Sequence, residues 1–366
     1  MARLRDWVDL GKSTFHSLKI SDATRFYEDD WTETRKMLIA DHREAIDSDP
    51  RRLRRFLRSR SAILYGLAKR LAPARRVIFL LSFVFFFVAL QFEIGRVPGV
   101  WLLPELGIPF LLMVVLLAME LIDKIKYRDE LELARDLQAG LIPKEPAQTP
   151  QFGVAAFNQI ANTVGGDIYD FVPLDDGRLA VLFGDASGHG MAAGLVMAVA
   201  HAAFRTQLDV DPSQEAIITT LNRILCRTGG SRSFFSCCYV LFSADGSFSA
   251  SVAGHPLILK IDCSGKIVDR LGCGSYPLGI KNTLKWSEIR GGLAPGERLL
   301  FHSDGLTEAR NAHGREFGDA FVEAVIGWSP NASPEQLVDT LVDEWKLFMS
   351  ERPPEDDVSV AVIQRR

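Results

Sequence analysis

From Val77 to Phe92 the chain runs sixteen residues without a charge, VIFLLSFVFFFVALQF. A segment of this kind belongs in a protein core or in lipid, and it constrains its end of the chain more than any other feature. As a helix it rises about 24 Å, short of a ~30 Å hydrocarbon core. Ala72, Pro73 and Ala74, with Arg75 and Arg76 reaching back to the interface, make up the difference. A second apolar run, Leu106–Met119, follows a Gly/Pro turn around Arg96, Pro98 and Gly99. Two adjacent runs are expected to form a transmembrane helical hairpin over residues 77–122, with a buried core helix as the alternative.

The flanking charge agrees with a membrane. Residues 51–76 hold ten Lys and Arg and no acid. Leu53, Phe56, Leu57, Ile63, Leu64, Leu67 and Leu71 recur there at helical spacing, the pattern of a basic amphipathic helix on a lipid surface. Residues 1–76 carry 18 Lys and Arg against 11 Asp and Glu; the rest carry 24 against 35, so the net charge of -4 averages two unlike ends. No nucleic-acid-binding motif accompanies the basic stretch, so no nucleic acid is expected as a partner. The positive-inside rule places residues 51–76 in the cytoplasm, and two crossings return the chain there, leaving both termini cytoplasmic. Asp30 and Glu33 form a capping-box variant that predicts a helix over 31–46. Residues 1–76 therefore read as a basic helical cytoplasmic region.

Residues 123–150 read as a linker helix and a Pro-bearing linker. Tyr127, Leu131, Ala134, Gln138 and Leu141 form a stripe over 120–141. The stripe fits either a parallel coiled-coil stalk that would make a homodimer or the first amphipathic helix of the next domain. The five cysteines, Cys226, Cys237, Cys238, Cys263 and Cys273, show no CxxC spacing, which points to reduced thiols and no zinc site.

The texture changes over residues 151–366. Short β-branched and aromatic runs predict strands at Phe152–Phe157, Ile168–Pro173, Leu179–Gly184, Phe235–Ser243, Phe248–Ala253, Leu257–Ile261, Arg298–His302 and Val358–Ile363. Helices are predicted at Met191–Leu208, Ser213–Cys226 and Pro334–Met349. Strands in hairpin-length succession, with helices inserted in blocks, argue for α+β layers.

Acids stand at the ends of these strands. Asp167 follows Gly165 and Gly166; Asp185 closes a strand and precedes Ala186; Asp304 precedes Gly305; Asp356 and Asp357 precede the last strand. Hard cations such as Mg²⁺ and Mn²⁺ take carboxylate and carbonyl oxygens, and glycine lets backbone approach them closely. Packed together without a cation, such carboxylates repel and raise one another's pKa. Any single Asp-Gly pair also reads as an ordinary turn. There is no GxxxxGK[ST], GxSxG or HExxH, which argues against P-loop, serine-hydrolase and zincin chemistry.

The stretches ARDLQAGLIPKEP, VGGDIYDF, LFGDASGHGMAAGLVMA, SVAGHPLIL, YPLGI, LAPGERLLFHSDGLTEARNAHGREFG and DDVSVAVI, in this order from residue 133 on, resemble the PPM-type metal-dependent Ser/Thr protein phosphatases in their bacterial SpoIIE/RsbU branch. The resemblance implies a PPM-type β-sandwich flanked by α-helices and two divalent cations, Mn²⁺ or Mg²⁺. It implies that Asp185 bridges both ions, that the Ala186 carbonyl completes one shell, and that Asp167, Asp304 and Asp356, rather than Asp357, supply the rest. Asp167, Asp185, Asp304 and Asp356 are thereby the catalytic set, for direct attack of a hydroxide held between two metals on a phosphoserine or phosphothreonine. His189 stands four residues after Asp185 where eukaryotic members carry a His two residues after it, so that role is not transferred. His255 reads as a hydrogen-bonded turn residue and Asp170 as structural. The branch further implies a phosphorylated STAS-type anti-sigma-factor antagonist as substrate, a linker helix that transmits signals, and, with the hairpin, a place in the bacterial inner membrane among lipids. A non-catalytic membrane scaffold or sensor that binds a signalling partner is the competing expectation.

Overall fold

The computed structural model describes residues 52–94, 102–228 and 233–366, apart from Lys144, Gln148, Cys273 and Glu351. The helix expected over 31–46 and the turn around Arg96–Gly99 lie outside these residues. The chain divides into two compact units, Met1–Lys126 and Tyr127–Arg366.

In the first unit the basic segment forms helix α1 (Arg52–Arg70), and the apolar run lies in α2 (Pro73–Ile94). Pro73 begins α2, where its missing N–H costs nothing, and it holds Ala72 out of helical geometry. Arg75 and Arg76 thereby belong to α2, and Arg75 bonds Glu120 and Asp123 on α3 (Leu102–Ala139). Helix α3 is continuous for 38 residues with Pro109 inside it, so the second apolar run and the linker helix are one element across the expected boundary at 122. Among the described residues no helix is long and apolar enough to cross a membrane.

The second unit begins with the last turns of α3. Leu131, Ala134, Gln138 and Leu141 on the expected stripe are partly or wholly buried, while Leu133 and Leu137 face outward. Among the described residues ten strands follow: β1 (Phe152–Gln159), β2 (Asp167–Pro173), β3 (Leu179–Ala186), β4 (Phe235–Phe242), β5 (Ser247–Ala253), β6 (Ile258–Ile261), β7 (Ile267–Leu271), β8 (Ile289–Gly292), β9 (Arg298–His302) and β10 (Val358–Arg365). They form two antiparallel sheets of five, in the orders β1-β10-β9-β6-β7 and β2-β3-β4-β5-β8. Helices α4 (Met191–Val210) and α5 (Gln214–Thr228) pack on the second sheet. The short α6 (Asp304–Thr307), α7 (Gly318–Trp328) and α8 (Pro334–Met349) pack with the first.

The period of two along the strands builds three cores. Leu179, Val181 and Phe183 of β3 meet Leu299, Phe301, Ala361 and Ile363 of the opposite sheet. The alternate residues Ala180, Leu182 and Ala186 face α4 and α5 through Met197, Phe204 and Leu221. On the far side Leu300, Val360 and Val362 pack under α7 and α8 with Leu341 and Trp345. Central strands buried on both faces lose their polar alternation, which is why β3 and β4 read as unbroken apolar runs. The sandwich of α/β/β/α layers is the expected α+β architecture. Two strands and two helices, α6 and α7, were not expected. Both β7 and β8 are edge strands with mostly exposed residues, and β8 ends in two glycines, so neither carries the alternation that marks a strand.

Gly184 in β3 sits where a Cβ would meet the Ser236 carbonyl at 2.6 Å and the Phe235 ring at 2.5 Å. Gly184→Ala is expected to destabilise the domain by about 1–3 kcal/mol through overpacking. Gly327 in α7 has nothing within 4 Å of a built Cβ, and Gly327→Ala is expected to be neutral or stabilising by up to about 1 kcal/mol. Urea denaturation of both variants checks the contrast.

Candidate active site

The strand order brings the acids to one end of the sandwich. Asp167 opens β2 and Asp185 lies opposite it in the ladder with β3. Asp304 starts α6 directly after β9, and Asp356 and Asp357 lead into β10, which pairs with β9. Two hydrogen bonds to Asp357 tie these ends together, one across the sheets to the turn before β2 and one to the loop after β1. Asp357 Oδ2 accepts from the Gly166 amide at 2.6 Å, and its Oδ1 accepts from the Ala161 amide at 2.8 Å. Behind it the Ser303 hydroxyl donates to the Asp357 carbonyl at 3.2 Å and accepts from the Ser359 amide at 2.9 Å. The turn before Asp304 is thereby fixed to the turn before β10.

Gly166 has a steric reason to be glycine. A Cβ there would stand 2.6 Å from both the Ala186 carbonyl oxygen and Asp185 Oδ1. The bare backbone lets β2 close on the end of β3, and the Gly166 carbonyl accepts from the Ala186 amide at 3.2 Å. Ala186, Asp167 and Asp185 are therefore neighbours. Gly165 is held by Gln138 of α3, whose side chain donates to the Gly165 carbonyl at 2.6 Å and accepts from its amide at 2.9 Å. The linker helix thus grips the residue two positions before Asp167.

The carboxylates act on one another electrostatically. Burial, then Asp185 and Asp357, pushes Asp167 well above the usual range, with bonding toward Ser359 and Ser303 working the other way. Asp185 is pushed up to about 8 by burial, then by Asp304, Asp356 and Asp357. Asp356 is raised by burial and by Asp304 and Asp357, and exposed His189 opposes the rise. One buried oxygen, Asp167 Oδ2, has no hydrogen-bond partner. Asp356 is exposed whereas Asp357 is 6 % exposed and occupied by backbone amides, so of the adjacent pair Asp356 is the one open to a ligand.

Among the described residues no three His, Cys, Asp or Glu side chains are close enough to hold a metal ion as they stand. The set nevertheless fits a hard cation in kind: carboxylates that repel, a partnerless buried carboxylate oxygen, and the Ala186 carbonyl beside them.

The other expected residues lie apart from this cluster or support it. Asp170 is fully buried, bonded by Arg205 at 2.6 and 2.8 Å and by His201 at 2.8 Å, which ties β2 to α4. His255 Nδ1 pairs with Ser236 Oγ at 2.9 Å, as a hydrogen-bonded residue should, and Ser236 Oγ contacts the Asp185 carbonyl at 3.4 Å. Burial, then His302, drives His255 down to about 3, so its ring is neutral. Sequence reasoning missed Gln138, Ser303 and the bridging role of Asp357. A glutamine on an otherwise apolar stripe was the available signal for the first.

The family model described as Stage II sporulation protein E (SpoIIE) matches residues 175–366. Phosphoserine phosphatase RsbU of Bacillus subtilis (strain 168) is 24% identical over 243 residues, spanning 65% of this chain and 71% of RsbU. Phosphoserine phosphatase RsbP of the same organism is 25% identical over 190 residues, but the match spans only 47% of RsbP and 50% of this chain. The PP2C domain of SiaA from Pseudomonas aeruginosa superposes with a TM-score of 0.58 at 19% identity, covering 66% of this chain and 98% of that domain. The PP2C phosphatase domain of SpoIIE from Bacillus subtilis, with a fragment of its regulatory domain, gives 0.51 at 19% identity, covering 60% and 64%. These two likenesses establish the PP2C fold.

Protonation of the cluster carries a sign. With chelator present, the folded chain keeps protons on Asp167 and Asp185 that the unfolded chain releases near pH 4. Their contribution to stability is whole below that pH and is lost as pH rises toward about 8, the Asp185 value. Thermal unfolding in EDTA is expected to give a higher Tm at pH 5 than at pH 8, by about 2–4 °C for each kcal/mol involved. A Tm that rises over this interval would contradict the assignment.

Proposed function

The chain belongs to the SpoIIE family of PP2C-like phosphatases, and from that premise we propose that it is a metal-dependent Ser/Thr phosphoprotein phosphatase acting on a phosphorylated partner-switching protein. The observation that carries this reading is the convergence of Asp167, Asp185, Asp304 and Asp356, each from a different strand end, on one edge of the sandwich with the pKa values of Asp167, Asp185 and Asp356 raised. Asp185 and the Ala186 carbonyl, with Asp167, Asp304 and Asp356, are the residues that would hold two divalent cations, Mn²⁺ or Mg²⁺. Bound there, the cations supply the Lewis acidity that activates water and the positive charge that offsets a phosphoryl transition state. The protein's own part is to hold the acids in place. Asp357 fixes the Gly166 turn, Ser303 fixes the Asp304 turn, and Gly166 keeps the approach to Ala186 open.

The relatives support the choice of substrate. RsbU and RsbP are phosphoserine phosphatases, and a STAS-type anti-sigma-factor antagonist is the corresponding phosphoprotein in the branch this chain resembles. All the acids are present, which favours an enzyme over a scaffold. Membrane attachment of residues 77–122, with both termini cytoplasmic, belongs to the same reading. It is supported by the apolar side chains that α2 and α3 expose, among them Leu80, Val84, Phe110, Leu111 and Leu117, and by the basic α1 before them. Leu133 and Leu137 on the linker helix are exposed as a homodimer would need.

Purified full-length chain is expected to release phosphate from a phosphoserine peptide or p-nitrophenyl phosphate with Mn²⁺ and not with EDTA. Asp185→Ala should lower turnover at least about a hundredfold, as expected when a principal electrostatic stabiliser is removed, and should abolish a Mn²⁺ binding event in calorimetry. Full activity in either condition would sink the reading. In cells the chain is expected in the membrane fraction after carbonate washing; recovery in the soluble fraction would remove the anchor.

A further inference from the structure

Next to the acidic edge lies a cavity of about 350 Å³, walled by His255, Arg270, Asp304, Glu308, Asp319 and Glu323 together with apolar residues of β6 and α7. Its charge is unbalanced. Arg270 is engaged by Glu323, and Asp304, Glu308 and Asp319 add three carboxylates without a second Arg or Lys among the described lining residues. His255 gives an independent sign that something polar belongs there. It is 8 % exposed, it lines the cavity, and its Nε2 is buried with no hydrogen-bond partner. Its other nitrogen is used by Ser236, whose hydroxyl points to the Asp185 carbonyl.

A hollow lined by carboxylates beside the imidazoles of His255 and His302 complements a cation rich in N–H donors. Asp304 belongs both to this wall and to the candidate metal set, so an occupant sits within a side chain's reach of the group being dephosphorylated. We propose that this cavity receives the arginine or lysine side chain of a residue flanking the phosphoserine of the protein substrate. The inference rests on the phosphatase reading and adds a specificity subsite to it. Glu308 and Asp319 hold the cation's charge, beside the imidazole of His255.

The test leaves the enzyme intact at first. Full-length chain with Mn²⁺ is given phosphoserine peptides that differ only in an arginine moved through the four positions on either side of the phosphoserine, with norleucine in its place as control. One register is expected to raise kcat/KM tenfold or more, mainly through KM. The Glu308→Gln/Asp319→Asn double variant is expected to erase that preference while p-nitrophenyl phosphate turnover stays within twofold. Brisk turnover of all peptides with a flat arginine scan overturns the subsite and leaves the phosphatase reading standing. A preference that survives the double variant, or that raised Mn²⁺ concentration erases, also overturns it, the second result assigning the cavity to a metal ion. Failure to hydrolyse any peptide or p-nitrophenyl phosphate overturns both.

Discussion

The Asp357 carboxylate is the clasp on which the active edge depends. From the head of β10, in one sheet, it takes the amides of Gly166, which leads into β2 of the other sheet, and of Ala161, which follows β1. The core between the two sheets is apolar, which holds them together without fixing the register of their ends. A charged acceptor on two backbone amides is directional and stronger than a neutral pair. It sets where Asp167 stands relative to Asp304 and Asp356. Gln138 adds a second hold on the same loop, through both polar groups of Gly165. Whatever moves the end of α3 therefore acts on the residues immediately before Asp167.

Such a clasp is needed because the edge is electrostatically unfavourable. Burial raises Asp167 and Asp185, and each further acid adds to the rise. The packed layers on both faces of the central strands supply the rigidity that keeps these groups together. Ala180, Leu182, Ala186 and their neighbours lock β3 against the helices, while Val181 and Phe183 lock it against the facing sheet. Phe183 also packs edge-on against His255, so the same core that orients Asp185 orients the imidazole of the neighbouring cavity.

Much of this was legible in the residues alone. The strands β1 to β6, β9 and β10 are dense in β-branched and aromatic residues, and their ends differ from expectation by at most two residues. The acids at strand ends were equally visible, since Asp beside Gly survives as a pattern whatever the tertiary structure. The edge strands β7 and β8 were not, because a strand exposed on its faces carries no hydrophobic period. Nor was the continuity of α3. The composition turns from apolar to charged at Glu120 and Asp123, which reads as a boundary, yet the helix carries through that change without interruption. Gln138 and Ser303 were illegible for another reason. Their partners are backbone groups of loops distant in sequence, and a polar side chain gives no local sign of which amide it will meet.

The doublet Asp356–Asp357 shows how physical environment divides like residues. Two carboxylates one residue apart cannot both be buried against one another without a cation or donors for each. The fold gives one of them two backbone amides and covers it; the other stays exposed, accepting only the Asp357 amide at 2.9 Å. The first is thereby committed to architecture and the second is left with oxygens to offer. The same division separates Asp170 from Asp167 three residues away on β2. Arg205 and His201 fully occupy Asp170, whereas Asp167 keeps an oxygen with no partner. A carboxylate at this edge is available to chemistry where the protein's own donors stop short of it, and that criterion selects Asp167 and Asp356 over their equally acidic neighbours.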